Sequence, residues 1–373
     1  PRTAALPWRQ VDLSELDEAA REERWTHLLG QERRRFDPAE PPLLRLLLAR
    51  VGPERHRLVL SHQHLLLDGW SVPRLMRELG DRYAGAEPPA PAPYSSFLAW
   101  LARQDAGASA TAWATALAGL EEPTHLVPAD PNRAPAVPET STTRLTPELT
   151  TALTALARSR GLTVNTLVQG AWSIALSRLT GRRDVVFGAT VSGRPPEMDG
   201  VESMIGLFIN TVPVRVRMDD REPLSAFLDR LQDEQSRLIA HQYVGLADIQ
   251  RRAGLGELFD TLVVFESYPD ADGSALGAGE GLRTTVRDHQ DSTHYPFTWA
   301  VEPGERLTLT AEYRRDLIDR AMAERAGAAM VRIFEAMTAD TGQPLGRIDI
   351  LTPADRHTIV ETWNDTALPA GPD

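Results

Sequence analysis

The sequence predicts a mixed α/β protein built from two lobes, and three observations support this prediction. At 373 residues the chain is longer than one hydrophobic core usually supports, so two lobes are the default expectation. Short apolar runs of strand character alternate with longer segments of helical spacing. Residues 128–140 hold four prolines and little that could pack, which indicates a connection between lobes. We therefore predict an N-terminal lobe over residues 1–127 and a C-terminal lobe over residues 141–350, followed by a polar linker over residues 351–373.

The elements of the first lobe follow from local patterns. Ser14 can cap a charged helix over residues 15–35. A second helix has Pro73 in its first turn and apolar residues at helical spacing, and Gly80 is expected to end it. Strands are predicted at residues 8–13, 43–51 and 57–62, and a further helix at residues 94–120.

The second lobe is predicted to alternate in the same way. Thr146 followed by Pro147 is a typical helix start. Predicted strands cover residues 141–145, 185–191, 211–216 and 262–265, with a hairpin at 298–301 and 307–313; predicted helices cover residues 147–160, 164–179, 224–241 and 319–338. Residues 270–281, rich in glycine, alanine and aspartate, are predicted to form a mobile loop.

Composition excludes several classes of protein. The net charge is −12, which argues against a nucleic-acid partner, and no apolar run is long enough to span a membrane, so we expect a cytoplasmic protein without a membrane partner. The chain has no cysteine and no lysine, which excludes thiol nucleophiles, cysteine-ligated zinc, Schiff-base chemistry and phosphate-loop lysines. Because the first residue is Pro1, we expect the chain to be a piece of a longer polypeptide.

Residues 57–71 carry the densest chemistry of the sequence. A short predicted strand leads into a helix, and the connection between them holds the polar or special residues His64, Asp68, Gly69, Trp70 and Ser71. An imidazole can both accept and return a proton near neutral pH, so a positioned histidine is a candidate acid or base.

Three interpretations of this stretch remain open on pattern alone. His62 and His64 can form a hydrogen-bonded structural pair at the end of a strand. Alternatively, the two histidines and Asp68 can ligate a metal ion, although no supporting cluster of ligands accompanies them. In the third interpretation His64 is a catalytic base, and Asp68 orients it or anchors the structure. A buried carboxylate needs a partner, and either Arg194 or Arg215 could hold Asp68 in a bidentate fork.

Other constellations favour ordinary structural roles. The chain has neither a Gly-x-Ser-x-Gly elbow nor a His-Glu-x-x-His pair, so serine hydrolases and zincins lack their signatures. The glycine run at residues 277–281 follows no predicted strand, which favours a flexible loop over a phosphate site. His241, His289 and His294 have no titratable partner nearby in sequence and are predicted to be solvated or packed.

Five stretches, in order along the chain, resemble motifs of the condensation domains of nonribosomal peptide synthetases. Gln63-His64-Leu-Leu-Leu-Asp68-Gly69-Trp70-Ser71 is similar to the His-His-x-x-x-Asp-Gly active-site motif. The other four are residues 187–195 (Phe-Gly-Ala-Thr-Val-Ser-Gly-Arg-Pro), 205–215 (Ile-Gly-Leu-Phe-Ile-Asn-Thr-Val-Pro-Val-Arg), 258–269 (Leu-Phe-Asp-Thr-Leu-Val-Val-Phe-Glu-Ser-Tyr-Pro) and 363–366 (Trp-Asn-Asp-Thr).

The resemblance implies two chloramphenicol-acetyltransferase-like lobes that form a V, with a tunnel at their interface. It implies amide bond formation between a carrier-bound acyl or peptidyl thioester donor and the amine of a carrier-bound aminoacyl thioester. The 4′-phosphopantetheine arms would come from an upstream donor carrier and a downstream acceptor carrier, next to an adenylation domain, with no cofactor bound covalently and no metal.

The resemblance also assigns roles to residues. His64 is the expected catalytic residue, and Ser192 and Asn210 are expected to face the tunnel. The expected supporting residues are Gln63, Asp68, Gly69, Trp70, Ser71, Arg194 and Arg215, where Arg194 is the first candidate partner of Asp68 and Arg215 the second. We also expect Gly69 to adopt a backbone conformation that is costly for other residues.

Two departures from the family pattern bear on these expectations. Gln63 replaces the first histidine of the motif, and it can form hydrogen bonds but cannot titrate. Family members also carry a strand and a helix before the point where this chain begins, so the first lobe is expected to be incomplete. The alternatives are an epimerising or dehydrating member of the same superfamily and a catalytically silent domain that docks carriers or tailoring enzymes.

Overall fold

A computed structural model describes residues 5–90, 92–130, 134, 136–266, 282–287 and 293–365. The chain is a mixed α/β protein with two sheets, and it divides into two compact units. Among the described residues, unit 1 comprises 5–90, 92–100, 194–208 and 282–287, and unit 2 comprises the remainder. None of the helices in the described part of the chain has the length and hydrophobicity that crossing a bilayer requires.

Unit 1 contains a three-stranded sheet in the order β1-β2-β3. Strand β1 runs parallel to β2, whereas β2 and β3 are antiparallel, with Leu44 opposite His62. The elements are β1 (Trp8–Asp12), α1 (Glu18–Glu32), β2 (Leu44–Arg50), β3 (His56–His62), α2 (Ser71–Tyr83) and α3 (Tyr94–Leu101). One core packs Leu28 of α1 on Leu47 and Ala49 of β2.

A second apolar cluster in unit 1 surrounds residues 194–208. It joins Phe97 of α3 to Val201, Met204 and Phe208. These residues return to unit 1 although the residues before and after them in sequence belong to unit 2. The bounds of the two compact units therefore differ from those of the predicted lobes. The lobe boundary at residues 128–140 and the tunnel between the lobes stay predictions.

Unit 2 contains a six-stranded sheet in the order β4-β9-β8-β7-β5-β6, in which β8, β7 and β5 are parallel and the other pairs are antiparallel. Its strands are β4 (Glu139–Arg144), β5 (Asp184–Val191), β6 (Asn210–Arg217), β7 (Thr261–Phe265), β8 (Phe297–Glu302) and β9 (Thr308–Tyr313). Its helices are α4 (Ala106–Ala116), α5 (Pro147–Arg160), α6 (Val164–Thr180), α7 (Leu224–Ser236), α8 (Leu246–Ala253), α9 (Arg320–Ala339) and α10 (Pro353–His357). Helix α6 is buried along most of its length, which places it at the centre of the largest core.

Several predicted boundaries are wrong, each for a local reason. Helix α1 is capped by Asp17, whose side chain accepts a hydrogen bond from Ala20 N, and not by Ser14. Helix α2 continues through Gly80 to Tyr83, because one glycine inside a helix costs only about 1 kcal/mol. The predicted helix over residues 94–120 is two helices, since the Asp105 carboxylate caps a new start at Ala106.

Two further outcomes concern the second half of the chain. The predicted helix over residues 224–241 ends at Ser236 and continues only as a 3₁₀ turn at Ile239–His241, and helix α8 was not predicted. The predicted mobile loop at residues 270–281, the glycine run at 277–281 and His289 lie outside the described residues.

Candidate active site

His64 lies on a tight turn that immediately follows β3. The amide of Gln63 donates to the Leu43 carbonyl (2.9 Å), and the Leu66 amide donates back to the Gln63 carbonyl (2.9 Å). The Gln63 side-chain Oε1 accepts a longer hydrogen bond from the Leu65 amide (3.4 Å). Gln63 therefore acts as the cap of the turn, and His64 at its tip is exposed.

Asp68 fixes the base of this turn. Its carboxylate is fully buried, and Oδ1 accepts hydrogen bonds from the Ser71 amide (2.9 Å) and the Ser71 hydroxyl (2.7 Å). Its Oδ2 accepts from the Phe208 amide (2.9 Å), and its own backbone amide donates to the Gly206 carbonyl (3.2 Å). Asp68 therefore joins the start of α2 to residues 206–208, which supports the structural interpretation of this carboxylate over a role as a metal ligand.

Arg194 is the ionic partner of Asp68. Its Nη2 lies 3.3 Å from Asp68 Oδ1 and 3.2 Å from Ser71 Oγ, and its side chain is only 5% exposed. Its Nη1 donates to the carbonyls of Val201 (2.5 Å) and Met204 (3.1 Å), so the guanidinium also holds its own loop together. Burial lowers the pKa of Arg194, and the Asp68 carboxylate counteracts that effect. Because an arginine stays charged in proteins, the pair is ionic.

Ser71 connects the same groups at the first residue of α2. Its Oγ lies 2.8 Å from the Gly206 carbonyl and accepts a hydrogen bond from the Gly206 amide (3.0 Å). Gly69 and Trp70 complete the turn before the helix. The expectation of a costly backbone conformation at Gly69 stays a prediction.

The remaining predicted site residues lie elsewhere. Arg215 pairs with Asp184 in a bidentate fork (Nε–Oδ1 3.0 Å, Nη2–Oδ2 2.7 Å) and donates to carbonyls at the end of α4, so it is not the partner of Asp68. Asn210 donates both amide hydrogens, to the carbonyls of Gln242 and Val244 (2.7 Å each). Ser192 is exposed just after β5. The expected contacts of Ser192 and Asn210 with a substrate stay predictions.

Two of the other histidines contact neighbouring side chains. His241 Nδ1 lies 2.9 Å from the buried Ser109 Oγ, and the ring of His294 packs on Tyr295 (centroids 4.2 Å apart). Among the residues that the structure describes, no group of three histidines or carboxylates is arranged to hold a metal ion.

Sequence reasoning missed Tyr94, whose hydroxyl donates to the Leu207 carbonyl at 2.5 Å. The sequence carried no signal for it, because an aromatic residue at the start of an apolar helical pattern indicates only a part of a core face. Gly206 and Phe208 lie in the motif at residues 205–215, but their contacts with Asp68 and Ser71 could not be inferred from it.

Two sheets of this topology and a histidine turn anchored by a buried Asp–Arg pair define a mixed α/β domain with a candidate active site. The condensation domain model matches residues 2–360, and the chain therefore belongs to the condensation domain family of nonribosomal peptide synthetases. It is 37% identical to chondramide synthase of Chondromyces crocatus over 97% of this chain, and 33% identical to bacitracin synthase 3 of Bacillus licheniformis over 91% of it. The chain spans 9% and 6% of the length of these two relatives.

Solved structures give the same fold. A four-domain nonribosomal peptide synthetase bound to AMP and glycine matches with a TM-score of 0.79 at 20% identity, over 94% of this chain and 28% of that one. The first condensation domain of the CDA synthetase matches with a TM-score of 0.70 at 22% identity, over 92% and 78%. The complex of an X-domain with OxyB from teicoplanin biosynthesis matches with 0.73 at 22%, over 94% and 80%. The predicted fold class is confirmed as the chloramphenicol-acetyltransferase-like fold of these domains.

Proposed function

We propose that this chain forms an amide bond between a thioester donor and the amine of a second thioester, with His64 as its catalytic residue. The observation that carries the proposal is the anchoring of the turn that holds His64. The His64 imidazole is exposed, and the buried Asp68 carboxylate fixes the base of the turn. That carboxylate accepts hydrogen bonds from the Ser71 and Phe208 amides and from the Arg194 guanidinium. Such rigidity suits a group that must meet a reacting atom in one orientation.

The reaction requires little chemical activation. An α-amine has a pKa of about 7.7–8.0, so a useful fraction is neutral near pH 7, and a thiol with a pKa of about 8.5 provides a good leaving group. The amine nitrogen attacks the thioester carbonyl carbon, the C–N bond forms, the C–S bond breaks, and the proton lost by nitrogen ends on the thiolate. Holding the two reactants in place can supply up to about 7–11 kcal/mol, whereas proton transfer through a histidine contributes about 10²–10⁴-fold.

We infer that His64 hydrogen-bonds the attacking amine or takes its proton as the tetrahedral species forms. Asp68 and Arg194 keep the turn in place and do not act on the substrate. Gln63, which cannot titrate, contributes its hydrogen bond to the turn and no proton. Because the sequence has neither cysteine nor lysine, we propose that both substrates arrive as thioesters on the 4′-phosphopantetheine arms of partner carrier domains, in a synthetase that also carries an adenylation domain.

The test is a condensation assay with both substrates loaded on carrier domains. His64→Ala is expected to lower the rate of product formation by about 10²-fold or more. His56→Ala is the matched control, because His56 is exposed at the opposite end of the same strand, and its rate should equal that of the wild type. An unchanged rate for His64→Ala would refute the role of His64.

The same assay separates the alternatives. Mass spectrometry of the carrier-bound product, combined with chiral analysis, distinguishes simple condensation from epimerisation and from dehydration. Binding of loaded carriers without any product would support a silent docking domain instead.

A further inference from the structure

Tyr94, the first residue of α3, binds the one backbone carbonyl within residues 206–208 that lies between the groups bound by Asp68 and Ser71. The Asp68 and Ser71 groups bind the backbone of Gly206 and the amide of Phe208. The carbonyl between them, that of Leu207, accepts the hydrogen bond from the Tyr94 hydroxyl at 2.5 Å. The peptide groups of this segment are therefore held at consecutive residues by side chains from two different parts of unit 1.

The Tyr94 ring fits this segment closely. A Cβ added at Gly206 would lie 2.4 Å from the ring Cδ2 atom, so the ring occupies the space that any other residue at 206 would need. The ring also meets Phe208 edge-on, with centroids 5.1 Å apart, and the Arg194 guanidinium lies over the Phe208 ring at 3.9 Å. Tyr94 thus contacts the segment through both its hydroxyl and its ring.

The hydroxyl is suited to donate. Burial and the negative charge of Asp68 raise the pKa of Tyr94, so the phenol remains protonated at any pH where an amine condensation would run. The protonated hydroxyl can therefore donate to the Leu207 carbonyl.

We propose that Tyr94 is a positioning residue for the condensation reaction, which holds the Asp68 side of the His64 turn in its reactive geometry through residues 206–208. The inference rests on the proposed function of His64. The physical route is short: the Tyr94 hydroxyl fixes the Leu207 carbonyl, the neighbouring amide of Phe208 binds Asp68, and Asp68 fixes the turn that carries His64.

Tyr94→Phe removes the hydroxyl and keeps the ring. In the two-carrier assay it is expected to lower kcat about 5- to 10-fold, the size of one lost hydrogen bond, with KM unchanged. Tyr83→Phe is the matched control, because Tyr83 is 74% exposed at the end of α2 in the same unit, and its kcat should equal that of the wild type. Hydrogen exchange of the Phe208 amide is expected to accelerate in Tyr94→Phe and not in Tyr83→Phe.

The double variant Tyr94→Phe/His64→Ala shows whether Tyr94 acts through His64. The expected result is that Tyr94→Phe lowers kcat in the wild type and adds nothing once His64 is replaced. An equal loss in both backgrounds overturns the inference, as does a lowered Tm with an unchanged kcat per folded molecule. If His64→Ala alone leaves the rate unchanged, the proposed function fails. Hydrogen exchange of the Phe208 amide still reports on the Tyr94 contact in that case. If this exchange is the same in Tyr94→Phe as in the wild type, the contact itself is overturned.

Discussion

Asp68→Asn tests whether the charge of Asp68 stabilises unit 1, and the structure sets the expected magnitude. The Asp68 carboxylate is 0% exposed and its partner Arg194 only 5%, so neither charge is screened by water. Asparagine keeps one acceptor oxygen and places an NH₂ group toward either the Phe208 or the Ser71 amide, both of which are donors. One amide hydrogen thus loses its acceptor, and a buried guanidinium loses its counter-charge.

Breaking a buried ion pair by removing one partner costs about 3–5 kcal/mol. Asp184→Asn in the full chain is the comparison variant, because Asp184 pairs with an arginine that is only 7% exposed, as Asp68 does, but is itself 33% exposed. Because water reaches the Asp184 carboxylate, Asp184→Asn should lose less free energy of unfolding than Asp68→Asn. Urea denaturation followed by tryptophan fluorescence measures the free energy of unfolding of both variants.

A second substitution checks the cause of the loss. Asp68→Asn/Arg194→Met removes the unpaired charge, and exchange of a buried pair for apolar side chains is often neutral. Recovery should be incomplete here, because the carbonyls of Val201 and Met204 lose their donor together with the guanidinium. The reasoning is refuted if Asp68→Asn costs no more than Asp184→Asn. We also expect folded Asp68→Asn to condense substrates at a rate closer to the wild type than His64→Ala does.

Two further predictions concern unit 2. Asn210→Asp replaces two N–H donors with a carboxylate that faces two carbonyls, so the free energy of unfolding in urea should fall by about 2–4 kcal/mol. The control Asn364→Asp loses the same kind of contacts at an exposed helix end and should lose less than about 1 kcal/mol. Equal losses in the two variants would contradict the anchoring role of Asn210. Burial raises the pKa of Asp260 above its ordinary value of 3.8, so the folded state favours the protonated carboxyl. This contribution to the free energy of unfolding is complete below pH 3.8 and is lost as the pH rises through the pKa of the folded state. The Tm of Asp260→Asn should therefore fall less than that of the wild type as the pH is raised from about 4 toward neutrality, and parallel Tm curves would contradict this.

The strands and most helices could be predicted because their signals are local. Alternating or continuous apolar runs marked β2, β3, β5 and β9, and the Thr146-Pro147 start marked α5. The errors came from residues whose effect depends on their surroundings. Gly80 lies inside α2, because a single glycine costs too little to end the helix. Asp105 starts α4 through a cap that a helical pattern does not reveal.

The site was predictable as chemistry but not as geometry. The sequence identified His64 and Asp68 and offered two arginines as partners for the carboxylate. No local pattern shows whether Arg194, shortly after β5, or Arg215, within β6, is the partner of Asp68. The choice is made by contacts between residues far apart in sequence. Tyr94 was missed for the same reason, because its acceptor is the backbone carbonyl of Leu207.

Residues 205–215 show how one motif serves several structural tasks. Gly206 and Phe208 offer their backbone to Ser71 and Asp68, and Gly206 has no side chain because the Tyr94 ring occupies that space. Asn210 holds the carbonyls of residues 242 and 244, and Arg215 holds Asp184 and the end of α4. Each of these polar groups has protein partners at hydrogen-bonding distance, so these four positions can be required for folding without contacting a substrate. For this reason we expect substitutions at Asn210 and Arg215 to change stability first, whereas substitutions at His64 should lower the rate while leaving the free energy of unfolding unchanged.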